Sequence, residues 1–346
     1  MKKLRAAVIG CGNIFPMHAQ PAFTRENVEL VAVCDIKEDR AQKEAANYNC
    51  KYYTNYKELF EKEDLDVIHI CLPHYLHAPV AIEAANHKIN VLTEKPMSIA
   101  YEDARKMIES ANENEILLGV IFQNRYNPGS RLIKEYLTNG ALGKIRGGKL
   151  SVTWDRSDDY YLKSDWKGTW EKEGGGVVID QAIHTMDLMR WFVDEEIDYV
   201  DANIANRAHD IIEVEDTAEG VIKYKSGIVT AFQAINYYTY DAPVTIELHC
   251  ENGLARMVGE RGIVTFKDGR EFSAENDPNE TFNYGNGAKS YWGVSHVKQI
   301  NNFYDVLEGK KELLDIPVEE ALKTQEMIAA IYESGKKQQK IFLGVE

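Results

Sequence analysis

Three residue types in this sequence, placed as they are, could move a proton and steady the charge its removal leaves. Asp180 and His184 lie four apart in the run Gly174-Gly175-Gly176-Val177-Val178-Ile179-Asp180-Gln181-Ala182-Ile183-His184, so a helix would put them on one face. Histidine is the side chain that titrates near neutrality, and it suits the role of general acid or base. Lys95 follows an apolar run in Thr93-Glu94-Lys95-Pro96, where the proline fixes the direction of the turn. An ammonium there could stabilise an alkoxide. Oxidation of an alcohol needs this pair of services, because the hydroxyl proton must leave as the hydride does. Plainer readings exist: Glu94 and Lys95 as surface ion-pair partners, and Asp180 with His184 as a structural hydrogen bond or half a metal site. No second cluster of His, Cys, Asp or Glu has ligand spacing, so no metal is expected.

A second group of residues points to a dinucleotide. Gly10-Cys11-Gly12-Asn13-Ile14-Phe15 follows a strand-like run and opens a helical pattern. In that context one glycine serves a tight turn, and the next lets a pyrophosphate reach backbone N–H groups. Phe15 replaces the usual third glycine, so either the helix stands further from the sheet or the ring points elsewhere. Asp35 ends the run Val31-Ala32-Val33-Cys34, where an acid can accept hydrogen bonds from the adenosine ribose and repel a 2′-phosphate. NAD is therefore expected rather than NADP, although Lys37 and Arg40 partly offset Asp35. A methyltransferase can also place an acid here, but nothing in the Lys95, Asp180 and His184 set suits methyl transfer.

These residues need a frame. Short Val- and Ile-rich runs over 4–9, 28–34, 67–71, 90–92 and 116–121 read as strands buried on both faces. Helical patterns over 15–24, 37–48, 77–86 and 101–114 lie between them. That alternation predicts a doubly wound parallel sheet of the Rossmann type, within an α/β fold class. After Tyr126 the rhythm changes. A helix over 130–137 precedes period-two, aromatic stretches over 145–154, 199–205, 214–224, 228–238, 244–250 and 262–266, which predict a large, mostly antiparallel sheet. Helices over 295–307 and 318–336 and a strand over 341–343 close the chain. The expected division is a dinucleotide-binding domain over 1–125 and an α+β substrate-binding and oligomerisation domain over 126–346.

A net charge of −15 argues against broad contact with nucleic acid or an anionic membrane. The start, Met-Lys-Lys-Leu-Arg-Ala-Ala-Val-Ile-Gly, superficially suggests a leader, but the glycines break its apolar run and a first strand is the better reading. The five cysteines are scattered without a Cys-x-x-Cys pair, so reduced thiols and a cytoplasmic location are expected.

Taken in order, the residues resemble the glucose-fructose oxidoreductase / inositol dehydrogenase (Gfo/Idh/MocA) family along nearly the whole chain. The likeness rests on the glycine loop followed by His18, on Asp35, and on Cys71-Leu72-Pro73 with His77. It rests further on Glu94-Lys95-Pro96, Arg125-Tyr126-Asn127-Pro128, the triple-glycine segment with Asp180 and His184, and the His296 segment. The resemblance implies a nicotinamide cofactor at the amino-terminal crevice, with Gly10, Gly12, Asn13, Ile14, Asp35, Cys71, Leu72, Pro73, His77, Glu94, Lys95 and Pro96 around it. It implies that Lys95, Asp180 and His184 match the family's catalytic lysine, aspartate and histidine, and that the late sheet joins a homodimer or homotetramer. Phe15 and Ala182 depart from the family pattern, Ala182 standing where many members carry glycine.

The run from Trp154 to Trp170 places tryptophans and tyrosines among acids, a composition suited to carbohydrate because aromatic faces stack on C–H patches while carboxylates take hydroxyls. It could equally pack aromatics under a sheet. Lys95, Arg125, Tyr126, Trp154, Arg156, Tyr161, Trp166, Asp180 and His184 are the expected substrate residues; Arg125, Arg156 and Lys163 could meet an anionic group. Within the family, Trp166-Lys167-Gly168-Thr169-Trp170 ahead of the glycines resembles members that oxidise a pyranoside or nucleotide-sugar ring more than inositol dehydrogenases. The expected activity is hydride transfer between such a ring hydroxyl and NAD. A cyclitol dehydrogenase, a sugar- or NAD-sensing regulator without turnover, and a hydrolase-like use of tightly held NAD remain as alternatives.

Overall fold

Short apolar runs without polar alternation must be covered on both faces, and in the computed structural model, which describes residues 3–284 and 294–344, they build a parallel sheet. Its strands and crossover helices run β1 (Leu4–Ile9), α1 (Phe15–Phe23), β2 (Val28–Cys34), α2 (Glu38–Tyr48), β3 (Lys51–Tyr53), α3 (Tyr56–Lys62), β4 (Val67–Ile70), α4 (His77–Asn86), β5 (Asn90–Thr93), α5 (Tyr101–Glu113) and β6 (Leu118–Val120). The strand order is β3-β2-β1-β4-β5-β6, every pair parallel. Acidic pairs open α2 (Glu38, Asp39) and α5 (Glu102, Asp103), where the helix dipole favours them. The sequence signal missed β3 and α3, since a three-residue Lys-Tyr-Tyr strand has no period to read.

The second sheet follows α6 (Pro128–Thr138), which begins on a proline that needs no N–H partner. Next come β7 (Ile145–Thr153), the short α7 (Asp158–Leu162), a π-turn at Val178–Ala182 leading into α8 (Ile183–Val193), and then β8 (Ile197–Ala205), β9 (Thr217–Tyr224), β10 (Val229–Ile235), β11 (Thr245–Cys250), β12 (Gly253–Val258), β13 (Arg261–Phe266) and β14 (Glu271–Ala274). With a late β15 (Ile341–Phe342) the order is β14-β13-β12-β11-β7-β10-β9-β8-β15. Pairing is antiparallel except between β7 and β10, which run parallel. The period-two expectation holds in β10: Thr230, Phe232 and Ala234 are buried while Val229, Ala231 and Gln233 are exposed.

The expected single division at 125/126 is corrected. One compact unit is Met1–Gln123 with Pro278–Leu322, the other Asn124–Asp277 with Lys323–Glu346. The cause is α9 (Ser295–Leu307), whose Ile300, Phe303 and Tyr304 are buried among Ala6, Ala22, Val28, Val67, Leu92 and Ile121. Burying such side chains stabilises by roughly 1.5–3 kcal/mol each. The apolar face of a lone helix shows that it must pack, not on what. From Lys323 onward, α10 (Val318–Lys337) belongs to the second unit. All five cysteines are free thiols, and no helix among the described residues is long and apolar enough to cross a membrane.

Candidate active site

In the first unit the glycine loop forms the tight turn expected of Gly10. Gly10 has φ +99°, and a Cβ there would lie 2.2 Å from the Cys71 carbonyl oxygen, so the turn admits no side chain. A Cβ on Gly12 would meet nothing within 4 Å, which leaves open room beside the loop. Asp35 Oδ2 accepts the Cys11 N–H at 2.8 Å and Oδ1 accepts the Lys37 N–H at 2.8 Å. Each oxygen keeps a further lone pair for a ribose hydroxyl. Asn13 is exposed and Ile14 partly so, while Phe15 is buried against Val8, Leu30, Val33 and the Tyr48 ring, whose centroid is 5.7 Å away. The ring thus points into the core under the loop and does not occupy the open space beside Gly12.

Behind Lys95 lies a buried chain of polar groups. Glu94 Oε1 accepts from His18 Nε2 at 2.9 Å and from His296 Nε2 at 3.3 Å. His18 Nδ1 is 3.0 Å from His69 Nδ1, and His69 Nε2 is 2.9 Å from the Tyr304 hydroxyl. Burial pushes the Glu94 carboxyl up, but the hydrogen bonds from His18 and His296 outweigh it and hold Glu94 well below the usual carboxylate range. Burial lowers His18 and His69. These charges assign the tautomers: His18 donates Nε2–H to the carboxylate, so its Nδ1 accepts from His69, and His69 Nε2 accepts from Tyr304. His18, Glu94 and His296 also place one ligand atom each within 4.8 Å of one another, a donor set the sequence spacing did not reveal. As hydrogen bonds their geometry is already accounted for. Glu94 Oε2 accepts the Lys95 N–H at 3.2 Å, and the Lys95–Pro96 bond is cis. Cys71 and Pro96 are buried, whereas Leu72, Pro73 and Lys95 are partly accessible. His77, expected at the cofactor, is wholly buried with its ring nitrogens 2.7 Å from Pro96 O and 2.8 Å from Leu72 O. It braces the two loops from beneath.

In the second unit, Asp180 and His184 sit at a helix start whose unpaired N–H groups are all answered. Gly176 and Val178 donate to the Glu215 carboxylate at 2.8 and 3.1 Å, Val177 donates to Glu215 O at 3.1 Å, and Ile179 donates to the Tyr332 hydroxyl at 3.1 Å. A Cβ on Gly175 would lie 2.0 Å from the Tyr332 hydroxyl, and one on Gly176 would lie 1.9 Å from Glu215 O. The glycines therefore serve close packing rather than flexibility. Asp180 lies in the π-turn and not in a plain α-helix, and Ala182, also in it, is fully buried. Between Gly175 and Arg190 only Asp180 and His184 escape full burial, each being partly accessible.

The aromatic segment surrounds Asp180, but not through the residues expected. Tyr161 is buried beside Ile212 and Val214, its hydroxyl accepting from Asn236 at 2.7 Å, so its substrate assignment is corrected. Its neighbour Tyr160 donates to Asp180 Oδ2 at 2.6 Å instead. Lys167, which the sequence offered only as part of the Trp166–Trp170 motif and without a role, reaches the same oxygen at 2.5 Å and lies over the Trp166 ring. Trp154 donates to Ala242 O at 3.1 Å and carries the Arg156 guanidinium over its ring; Arg156 also pairs with Asp241 at 2.9 Å. Arg125 is corrected as well: it is buried and gripped by both Asp187 oxygens at 2.8 and 2.6 Å, with Thr324 donating to the same carboxylate. A desolvated two-pronged pair of this kind commits the guanidinium. Tyr126 is buried under Arg131. Lys163 sits in an exposed pair with Asp159. A sequence window shows neither Lys167 nor Glu215 as special, because their partners lie across loops.

Residues 4–122 match the model of an oxidoreductase family with an NAD-binding Rossmann fold, and residues 130–256 match the GFO/IDH/MocA carboxy-terminal domain. Myo-inositol 2-dehydrogenase of Thermotoga maritima is 27% identical over 258 residues, 72% of this chain and 74% of its own. D-glucoside 3-dehydrogenase of Escherichia coli is 35% identical over 191 residues, 53% of this chain and 52% of its own. The WlbA dehydrogenase of Bordetella pertussis, solved with NADH and UDP-GlcNAcA, superposes with a TM-score of 0.87 at 27% identity, covering 100% of this chain and 99% of that one.

Proposed function

This chain belongs to the Gfo/Idh/MocA family of NAD-binding oxidoreductases, and from that premise we propose that it oxidises a ring hydroxyl of a neutral sugar, a pyranoside above all. The observation that carries this reading is that Asp180 and His184, alone between Gly175 and Arg190, keep partial accessibility, with the aromatic segment packed around Asp180. Two of the three cations expected to meet an acidic substrate are engaged within the protein, Arg125 with Asp187 and Arg156 with Asp241, while Lys163 lies in an exposed pair with Asp159; Lys167, beside the site, is held by Asp180. Aromatic faces and hydroxyl-binding groups then fit an uncharged ring better than a sugar acid or phosphate. The glucoside dehydrogenase relative supports a pyranoside, and the inositol dehydrogenase relative supports a cyclitol as the second reading.

NAD, when bound, supplies the hydride acceptor. Asp35, Gly10 and Gly12 fit that cofactor by the hydrogen-bonding capacity and open space described above. His184 is assigned the hydroxyl proton, Lys95 the negative charge developing on the oxygen, and Asp180 the part of a fixed carboxylate four positions before His184. Of the other residues expected near the nicotinamide, Glu94 and His77 are assigned supporting parts, since each holds backbone of the Lys95 turn or its neighbour.

The reading is tested by following NADH absorbance against methyl glycosides, free hexoses, uronates, sugar phosphates, nucleotide sugars and inositols. Neutral pyranosides should give the highest kcat/KM. Greatest turnover on a uronate or a phosphate would overturn the neutral-ring reading. H184A and K95A should each lower kcat by about 100- to 10,000-fold while still binding NAD. Full turnover in both would show that the roles are wrongly placed.

A further inference from the structure

We propose, resting on the reading of Asp180 and His184 as the acid–base pair, that Lys167 is a positioning residue of that pair. Its ammonium holds Asp180 in place and offsets its charge, so that an uncompensated carboxylate four positions along the chain does not raise the proton affinity of His184; Glu173 is the buried second anchor of the same ammonium.

The geometry is closely built. Lys167 Nζ is 2.5 Å from Asp180 Oδ2 and 3.5 Å from Glu173 Oε1. It lies 4.4 Å from the Trp166 ring centroid and 4.8 Å from that of Tyr160, so its remaining sides face aromatic π-density. Tyr160 and Gln181 donate to Asp180 Oδ2 at 2.6 and 2.8 Å, and the three donors fix the carboxylate's direction. Glu173 is fully buried: Oε2 accepts the Gly168 N–H at 2.5 Å, and its own N–H donates to Thr169 O at 3.0 Å. The loop therefore closes on Glu173 and presents Lys167 to Asp180.

Two carboxylates face one ammonium, and their surroundings divide the charge. Burial pushes Glu173 up to about 8, with Lys167 opposing and Asp180 adding to the rise. Burial pulls Lys167 down, but Asp180, Tyr160 and Glu173 outweigh it and the amine stays protonated. Among the described residues, Tyr161, Glu215 and Tyr332 also interact with Glu173. The shorter contact, 2.5 Å to Asp180 against 3.5 Å to Glu173, and the raised proton affinity of Glu173 assign the ammonium's compensation to Asp180. An uncompensated Asp180 four positions away would raise the proton affinity of His184 and leave it charged, unable to act as base. The plain alternative is an ion pair that only closes a loop.

The two are separated by titrating the histidine Cε1–H signals of the full chain by NMR, the His184 signal being the one lost in H184Q. K167M should raise the His184 midpoint by about one pH unit, a tenfold change in proton affinity, and K167R should keep the wild-type midpoint. The acid limb of kcat/KM for NAD-dependent sugar oxidation should move with it in K167M alone. K167Q, uncharged but still able to donate, should behave as K167M and serves if K167M does not fold. E173Q, which mimics protonated Glu173, should leave the midpoint unchanged below pH 7. An unmoved midpoint in K167M or K167Q, or an E173Q midpoint shifted like theirs, overturns the proposal. If the midpoints move as expected but no sugar or cyclitol is oxidised, the function reading fails instead.

Discussion

Asp35 already accepts two backbone N–H groups, from Cys11 and Lys37, before any ribose arrives, which orients both oxygens. Replacing it removes acceptors and the charge that opposes a 2′-phosphate. D35S should weaken kcat/KM with NAD by about 10- to 100-fold, since hydrogen bonds to charged groups contribute roughly 1.5–3 kcal/mol. The loss with NADP should be smaller, and steady-state kinetics with both cofactors measures the ratio. An unchanged ratio would remove Asp35 from the discriminating role. At this scale Lys95, Asp180 and His184 stood out by type and spacing. Lys167, Tyr160 and Glu215 did not, because each acts through a partner 13 or more positions away. Arg125 and Tyr161 looked available as a sequence and proved to be buried structural groups.

The helix start that carries Asp180 and His184 depends on a strand-side carboxylate and a phenol from α10, not on a capping residue of its own. Burial raises Glu215 to about 7, although the N–H groups of Val178 and Gly176 and the Tyr332 hydroxyl pull it down. A carboxyl raised on folding contributes stability that is full below its unfolded value of 4.5 and is lost as pH rises through about 7. The Tm of the wild type relative to E215Q should therefore fall between pH 5 and pH 8, by an amount equivalent to roughly 3 kcal/mol across the window. Parallel Tm profiles would show that Glu215 does not titrate there. G176A should be far worse at every pH, because its methyl would meet the Glu215 carbonyl oxygen. Strand and helix identity was readable over most of the longer stretches, but α3 (Tyr56–Lys62), β12 (Gly253–Val258) and β14 (Glu271–Ala274) were missed. The π-turn was not, since its residues carry an ordinary helical pattern.

For the whole molecule, the resemblance implies a homo-oligomer joined through the second sheet, and β10 offers a place to test it. That strand exposes Val229, Ala231 and Gln233 in alternation with the buried row. Light scattering after size exclusion should give a mass above that of one chain at micromolar concentration, and the pair A231E and Q233E should weaken assembly about tenfold or more through buried like charge. A monomeric wild type would dispose of the proposal. The sequence by itself determined the architecture and the reaction class. Periodicity dictates which faces must be buried, and the roles proposed for the glycine loop, Asp35, Lys95, Asp180 and His184 were read from residue type and local spacing. Only the tertiary structure decided which unit α9 completes, that Phe15 lies in the core, and that Lys167 and Glu173 stand behind Asp180. Those outcomes depend on which surfaces and charges meet across long stretches of chain, and neither period nor spacing records that.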